Sequence, residues 1–82
     1  MPDAMNDIHY WTKAGNKRIQ KKITALLEAI LINPYEGIGK PEELKYELSG
    51  FWSRRIDKEH RLVYEILEDE EQILIHSAKG HY

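Results

Sequence analysis

The apolar residues of this chain change their spacing at Pro34. Before the proline they recur every three or four residues, which is the spacing of one face of an α-helix. This stripe consists of Ile19, Ile23, Leu26, Leu27 and Ile30. After the proline they alternate with polar residues, which is typical of strands that are buried on one side. Because helical spacing comes first and strand spacing follows, the sequence predicts an α+β domain.

Two helices are predicted before Pro34. The main stripe predicts a helix over about 17–32, which begins after an N-cap at Asn16 and ends at Asn33, since a residue before proline is disfavoured in helical conformation. Upstream, a shorter helix over about 3–13 is compatible with two apolar faces. These faces are Ala4, Ile8 and Trp11, or Met5, Ile8 and Tyr10.

Four strands are predicted after a loop over 35–41 that contains two glycines and a proline. They are Leu44–Leu48, Phe51–Ile56, Leu62–Leu67 and Gln72–His76. A turn over 57–60 and an acidic turn over 68–71 connect the last three. Short connections favour antiparallel neighbours, so we expect two N-terminal helices packed on one face of a twisted antiparallel sheet.

Length and composition limit the classes of protein to which the chain can belong. Its 82 residues suffice for a single domain over 1–82, and no apolar run approaches the length of a membrane span. The absence of cysteine excludes a disulfide scaffold, a thiolate zinc site and a cysteine nucleophile. Since the N-terminus lacks the basic and apolar regions of a signal peptide, we expect a cytoplasmic protein without a membrane partner.

The net charge of −2 conceals an uneven distribution. Five of the 14 acidic residues lie within 65–71, and the remainder of the chain sets 12 basic residues against nine acidic ones. The basic residues form two clusters: Lys13, Lys17, Arg18, Lys21 and Lys22, and then Lys40, Lys45, Arg54, Arg55, Lys58 and Arg61. The clusters indicate an anion-binding surface, with ordinary solvated side chains as the alternative.

Metal and nucleotide chemistry find little support in the sequence. The four histidines show no metal-binding spacing, and neither a phosphate-binding loop nor a nucleophile elbow is present.

General acid–base chemistry without a metal or cofactor remains. Cleavage of RNA by its own 2′-hydroxyl needs a base, cations for the charge on phosphorus, and an acid for the leaving oxygen. Candidates for these roles are Glu42, Lys45, Arg54, Arg55, Arg61, His81 and Tyr82.

Four motifs occur together in a fixed order. Residues 39–42 read Gly-Lys-Pro-Glu, 52–56 read Trp-Ser-Arg-Arg-Ile, 59–64 read Glu-His-Arg-Leu-Val-Tyr, and the chain ends in His81-Tyr82. In these motifs and over nearly its whole length the chain resembles the YoeB-type toxins of bacterial YefM–YoeB toxin–antitoxin pairs, which belong to the RelE-like superfamily. The resemblance implies a ribosome-dependent endonuclease that cuts messenger RNA in the A site, forms a homodimer, and is neutralised by a YefM-like antitoxin.

The resemblance also implies roles for individual residues. Glu42 is expected to be the general base and His81 the general acid, with Arg61 contacting the phosphate or the transition state. Tyr82 is expected to position the RNA. Two further RNA contacts are expected at Lys45 and Arg55, and a cation at position 45 would help to keep the nearby carboxylate ionised.

The two-residue period of a strand separates the neighbouring arginines. Arg54 shares a face with Trp52 and should point towards the helices, which leaves Arg55 for the RNA. Phe51 and Trp52 are expected in the core, with stacking on bases as the alternative. The remaining histidines of the sheet, His60 and His76, are assigned to structural or surface positions.

The N-terminus departs from the family. Its members begin with a short strand before the first helix, and about five residues equivalent to this strand are missing here. We therefore expect the sheet to lack its first strand. A misassigned start codon, a shortened chain, or a second chain that covers the exposed edge would each account for this.

A non-enzymatic function is the alternative to the nuclease. A catalytically silent relative would persist through binding of the antitoxin and co-repression of its operon. In either case an acidic, partly disordered antitoxin segment is expected to cover Arg55, Arg61 and Lys45.

Overall fold

The computed structural model describes residues 4–45 and 50–80. Its elements are α1 (Ala4–Lys13), α2 (Lys17–Ile32), β1 (Glu42–Glu43), β2 (Phe51–Arg55), β3 (Arg61–Leu67), a 3-10 turn (Glu68–Glu70) and β4 (Gln72–Ser77). The strands form one antiparallel sheet in the order β1-β2-β3-β4. The predicted α+β class is confirmed, and so is the order of helices and strands.

The local signals that delimit α2 act as predicted. The side-chain oxygen of Asn16 accepts a hydrogen bond of 3.1 Å from the backbone N–H of Ile19, which satisfies one of the free donors at the start of the helix. At the other end Asn33 is extended, with φ −156° and ψ 106°, as the proline that follows requires.

The core lies between the helices and one face of the sheet. The stripe of α2 packs there with Trp11 from α1 and with Leu62 and Tyr64 from β3. Of the two faces possible for α1, the one that contains Trp11 is buried: this residue is 5% exposed, against 83% for Met5 and 50% for Tyr10. The opposite face of the sheet carries no helix among the described residues.

The first strand begins earlier than predicted. The prediction placed it at Leu44–Leu48, of which residues 46–48 lie outside the described residues. The paired residues in the described part are Glu42 and Glu43, and Leu44 and Lys45 follow them. The N–H of Leu44 still donates a hydrogen bond of 2.8 Å to the carbonyl of Phe51. Glutamate has a low strand propensity, so the sequence pattern does not predict this short, charged edge strand. Its pairing with β2 identifies it.

Two further observations concern the start of α1 and the apolar character of the helices. The helix α1 begins at Ala4, the first described residue, so the expectation that the sheet lacks a first strand stays a prediction. Neither described helix combines the length and the apolar character that crossing a membrane requires.

Candidate functional site

The loop that carries β1 is held in place by a buried arginine. Arg54 is 0% exposed, and its guanidinium donates hydrogen bonds to the carbonyls of Asn33 (2.7 Å), Glu36 (3.0 Å) and Ile38 (3.1 Å). Two of these bonds come from Nη2 and one from Nη1. These acceptors follow the C-terminal end of α2, where the helix dipole favours a positive charge. The guanidinium therefore fixes the path of the chain from α2 to β1.

Tyr64 completes this arrangement from β3. Its hydroxyl accepts a hydrogen bond of 3.1 Å from Nε of Arg54 and donates one of 2.7 Å to the carbonyl of Pro34. The loop passes so close to the arginine that a Cβ at Gly37 would lie 2.9 Å from its Nη1 atom, and one at Gly39 would lie 3.0 Å from its Cβ. Glycine is needed at both positions, because each also has a positive φ.

We call the face of the sheet that carries no helix among the described residues the open face. The register of the sheet brings the candidate base and a candidate phosphate contact to this face. Glu42 pairs with Ser53, which pairs with Val63, so these residues share a face. On the same face the Nη1 atom of Arg61 lies 3.8 Å from Oε1 of Glu42. The two side chains are 27% and 65% exposed, respectively. This is a loose pair that solvent screens, and it leaves the carboxylate accessible.

Arg55 stands directly opposite Arg61 in the register of β2 and β3. Residues paired in this way present their side chains on the same face, with Cβ atoms about 5 Å apart. Arg55 is exposed, as the two-residue period predicted, while Arg54 is buried on the other face. Like charges at opposed positions repel each other, and an anion between them relieves that repulsion. Two guanidinium groups placed in this way can bind an anion between them.

The C-terminal segment is anchored next to these arginines. The carbonyl of Ala78 accepts a hydrogen bond of 2.9 Å from the indole of Trp11, and its N–H donates one of 2.9 Å to Asp7. The N–H of Gly80 donates a bond of 2.8 Å to Nδ1 of His60, and its carbonyl accepts one of 2.9 Å from the N–H of Arg61. The last described residue thus lies beside the open-face site.

Not every predicted site residue can be located. His81 and Tyr82 lie outside the described residues. Lys45 is exposed, and within the described ranges the carboxylate of Glu42 lies 3.8 Å from the guanidinium of Arg61. The expectation that Lys45 keeps this carboxylate ionised stays a prediction.

Two contributors were missed from the sequence. Arg54 was placed on the correct face without a role, and His60 was assigned to a structural or surface position without a partner. The half-buried ring of His60 packs edge-on against Trp11, with 4.8 Å between the centroids, and binds the tail through Nδ1. The sequence held one signal for these contributors, because each directly precedes a predicted site arginine. Arg54 precedes Arg55, and His60 precedes Arg61.

A separate groove of about 890 Å³ lies between α2 and the turn that joins β2 and β3. Its basic lining residues are Arg18, Lys21, Lys22 and Lys58. None of the predicted catalytic residues lines it. Within the described ranges there is also no group of three or more histidines and carboxylates that could hold a metal ion.

Comparisons with known proteins place this geometry in a family. The family model for the YoeB-like toxin of bacterial type II toxin–antitoxin systems matches residues 1–82. The toxin YoeB of Escherichia coli strain K12 is 49% identical over 80 residues, which cover 98% of this chain and 92% of the relative. The YoeB dimer of Staphylococcus aureus is 48% identical, has a TM-score of 0.85, and aligns with 100% of this chain and 92% of its own. A YoeB–YefM complex from the same organism gives the same identity, coverage and TM-score.

Proposed function

The chain belongs to the YoeB-like toxins of bacterial type II toxin–antitoxin systems, and on this premise we propose that it is an endoribonuclease that cleaves messenger RNA in the A site of the translating ribosome without a metal. One observation carries the proposal. Glu42, Arg55 and Arg61 share the open face of the sheet, with the carboxylate 3.8 Å from one guanidinium. This juxtaposition supplies a base and cations at one place.

Glu42 is the general base in this proposal. Its carboxylate removes the proton from the 2′-hydroxyl of the nucleotide before the cut. Two features support the role: the side chain is 65% exposed, so a polymer can reach it, and it lies 3.8 Å from the guanidinium of Arg61, beside the proposed phosphate site. Because DNA lacks the 2′-hydroxyl, a base of this kind restricts the enzyme to RNA.

Arg55 and Arg61 stabilise the charge that develops on phosphorus. The 2′-oxygen forms a bond to phosphorus and generates a phosphorane that carries more negative charge than the substrate. Two guanidinium groups on neighbouring strands can donate several hydrogen bonds to its oxygens. Their opposed positions in the sheet support this role, since the anion relieves their mutual repulsion.

His81 is the general acid. It donates a proton to the 5′-oxygen as the bond from that oxygen to phosphorus breaks, which leaves a 2′,3′-cyclic phosphate and a 5′-hydroxyl. An imidazole suits this step because it titrates near neutrality. The hydrogen bond between Gly80 and the backbone of Arg61 supports the assignment, because His81 is the next residue in the sequence. Tyr82 positions the RNA, and Lys45 adds a contact to its backbone or a base.

The ribosome supplies what the isolated site lacks. The site is an open sheet face, so it offers little that would orient a flexible RNA strand before reaction. Ribosomal RNA around the A site would hold the message against the two arginines. The net charge of −2 is compatible with this, because local cationic surface rather than total charge contacts phosphate. Action on ribosomes implies a cytoplasmic location.

The proposed protein partners follow from the staphylococcal relative, which has been solved as a dimer and in complex with YefM. We expect this chain to form a homodimer and to bind a YefM-like antitoxin. An acidic segment of that antitoxin would cover Arg55, Arg61 and Lys45, and would occupy the position of the RNA phosphate. Neutral variants at these three positions should weaken antitoxin binding and its dependence on salt.

Primer extension on a translated message tests the nuclease. Cleavage should be confined to codons in the A site, and Glu42→Gln should slow it by about 10²–10⁴-fold, the contribution typical of a general base. Glu43→Gln is the matched control, because Glu43 is also exposed and pairs with Trp52, on the helix-facing side of the sheet. His81→Ala should abolish cleavage.

Wild-type rates in both Glu42→Gln and His81→Ala would contradict the assigned roles. Tight binding of the antitoxin without any cleavage by the wild-type protein would support the alternative, a catalytically silent module that binds antitoxin and co-represses the operon.

A further inference from the structure

A second cluster of side chains lies on the open face, further along the same strands. Phe51 pairs with Glu65 in the register of β2 and β3. The imidazole of His76 lies against the phenyl ring of Phe51, with 4.6 Å between the centroids and 31° between the planes. Its Nε2 atom is 3.0 Å from Oε1 of Glu65. We name these three residues the aromatic cluster.

An irregularity in the sheet creates this cluster. Val63 pairs with Ser77, but the next residue of β3, Tyr64, pairs with Ile75. His76 is therefore the extra residue of a β-bulge, a feature that redirects side chains locally. The bulge turns the imidazole to the side of the sheet that carries Phe51, where the helices do not cover it.

The aromatic cluster is ordered by its own contacts and is partly exposed. The side chains of His76 and Glu65 are 15% and 25% exposed, and the carboxylate orients the imidazole. Phe51 does not join the core cluster that Trp52 contacts, so the prediction of a core position is confirmed for Trp52 alone. Beside the cluster, Leu74 is 43% exposed and pairs with Glu65.

The cluster and the two arginines Arg55 and Arg61 lie on the same face of the sheet. Phe51 and Arg55 are four residues apart on β2, which corresponds to about 13 Å along the strand. Between them lie Ser53 and Val63, which are 0% and 7% exposed and are smaller than the residues on either side. An RNA strand that is bound at Arg55 and follows the direction of β2 reaches the aromatic cluster at this spacing.

From this geometry we propose that the aromatic cluster is a nucleobase-binding subsite. Phe51 and His76 present the stacking surface for the base of a nucleotide next to the cut, and Glu65 is a positioning residue that orients the imidazole. Aromatic side chains bind unstacked RNA bases in this way and tolerate any base that offers a π-face. The inference rests on the proposed nuclease function and adds to it a contact with the message that is separate from the reacting phosphate.

Fluorescence of 2-aminopurine tests the subsite directly, because stacking on an aromatic ring quenches this base. The probe is a message with 2-aminopurine at one position at a time around the A-site codon, bound to ribosomes. Wild-type toxin should quench the probe at one position, Phe51→Leu should abolish this quenching, and Phe51→Tyr should retain it. Tyr10→Leu is the matched control, because Tyr10 is half exposed on α1 and outside the cluster. It should quench like the wild type.

Single-turnover cleavage provides the second measurement. Phe51→Leu should lower the rate about tenfold, and the dependence of the rate on the base at the quenched position should disappear. Phe51→Tyr should restore both. Antitoxin affinity should be the same in all three proteins, and thermal unfolding should show that each of them is fully folded at the temperature of the assay.

The results separate the subsite from the nuclease. Quenching that depends on Phe51 without cleavage would overturn the proposed function and retain the subsite. Cleavage whose rate and base dependence are unchanged in Phe51→Leu, or quenching at no position, would overturn the subsite and retain the nuclease. Equal loss of quenching in Tyr10→Leu would also overturn the subsite.

Discussion

Arg54 and Tyr64 are joined by a hydrogen bond of 3.1 Å from Nε of the arginine to the hydroxyl of the tyrosine. The bond links β2 to β3 beneath the loop that leads to β1. The same guanidinium binds three loop carbonyls, and the same hydroxyl binds a fourth, that of Pro34. The loop that presents Glu42 is thus tied to the core of the sheet through one buried charge.

This arrangement predicts that the neighbouring residues Arg54 and Arg55 contribute very differently to the free energy of unfolding. Arg54→Met should lower the free energy of unfolding by about 3–5 kcal/mol, because it removes the hydrogen bonds of a buried guanidinium to three loop carbonyls and to the Tyr64 hydroxyl. Arg55→Met should change it by no more than about 0.5 kcal/mol, because that side chain is exposed. Urea denaturation of both variants measures the difference. Equal destabilisation would contradict the structural role of Arg54.

If the proposed function is correct, Arg55→Met should impair cleavage although it leaves stability nearly unchanged. Under conditions where both variants are folded, Arg55→Met should reduce the rate of cleavage through loss of a phosphate contact. A rate equal to that of the wild type would remove Arg55 from the proposed site.

Gly39 makes a second testable contribution to the loop. Its φ is +85°, and a Cβ would lie 2.7 Å from Cδ2 of Leu26, so Gly39→Ala combines backbone strain with a core clash. We expect it to lower the free energy of unfolding by about 3 kcal/mol. Gly15→Ala is the control, since Gly15 has φ +69° with no heavy atom within 4 Å of a Cβ. It should cost about 1 kcal/mol, the strain alone. Equal costs in denaturation would argue against the close approach.

His60 should couple the tail to the start of β3. In His60→Ala the N–H of Gly80 loses its acceptor and Trp11 loses an aromatic neighbour. We expect a loss of about 1–2 kcal/mol in stability and faster hydrogen exchange at the Gly80 amide. His9→Ala is the matched control, because this histidine is exposed on α1. Unchanged exchange at Gly80 would show that the bond does not order the tail.

The turn between β2 and β3 should make part of the stability depend on acid pH. Partial burial by itself raises the pKa of the Asp57 carboxyl, but hydrogen bonds from the backbone N–H groups of His60 (2.7 Å) and Glu59 (2.8 Å) outweigh it and lower the pKa below its ordinary value of 3.8. The stabilisation is therefore complete above the unfolded-state pKa and is lost as the pH falls through the folded-state pKa.

Comparison of the wild type with Asp57→Asn measures this effect, because asparagine can accept the same hydrogen bonds but does not titrate. The wild type should be the more stable protein at pH 5, and this advantage should shrink as the pH falls below about 3.8. A difference that stays constant across this range would show that the carboxylate does not stabilise the turn.

Local patterns in the sequence were sufficient to predict much of the fold. The spacing of apolar residues placed α2, Asn16 supplied its N-cap, and Asn33-Pro34 ended it, because each of these effects acts within a few residues. The alternation along β2 likewise separated the buried Arg54 from the exposed Arg55. The motif order identified the family that the comparisons confirm.

Tertiary structure decided which residues act together. That Arg61 lies next to Glu42, that Arg54 binds the carbonyls after α2, and that His60 holds the tail are contacts between segments distant in sequence. No local pattern encodes them, because register, the bulge at His76 and the packing of the helices determine the distances. The sequence alone therefore determined the elements and the chemistry that the side chains can perform. The folded sheet decided which charges meet on its open face.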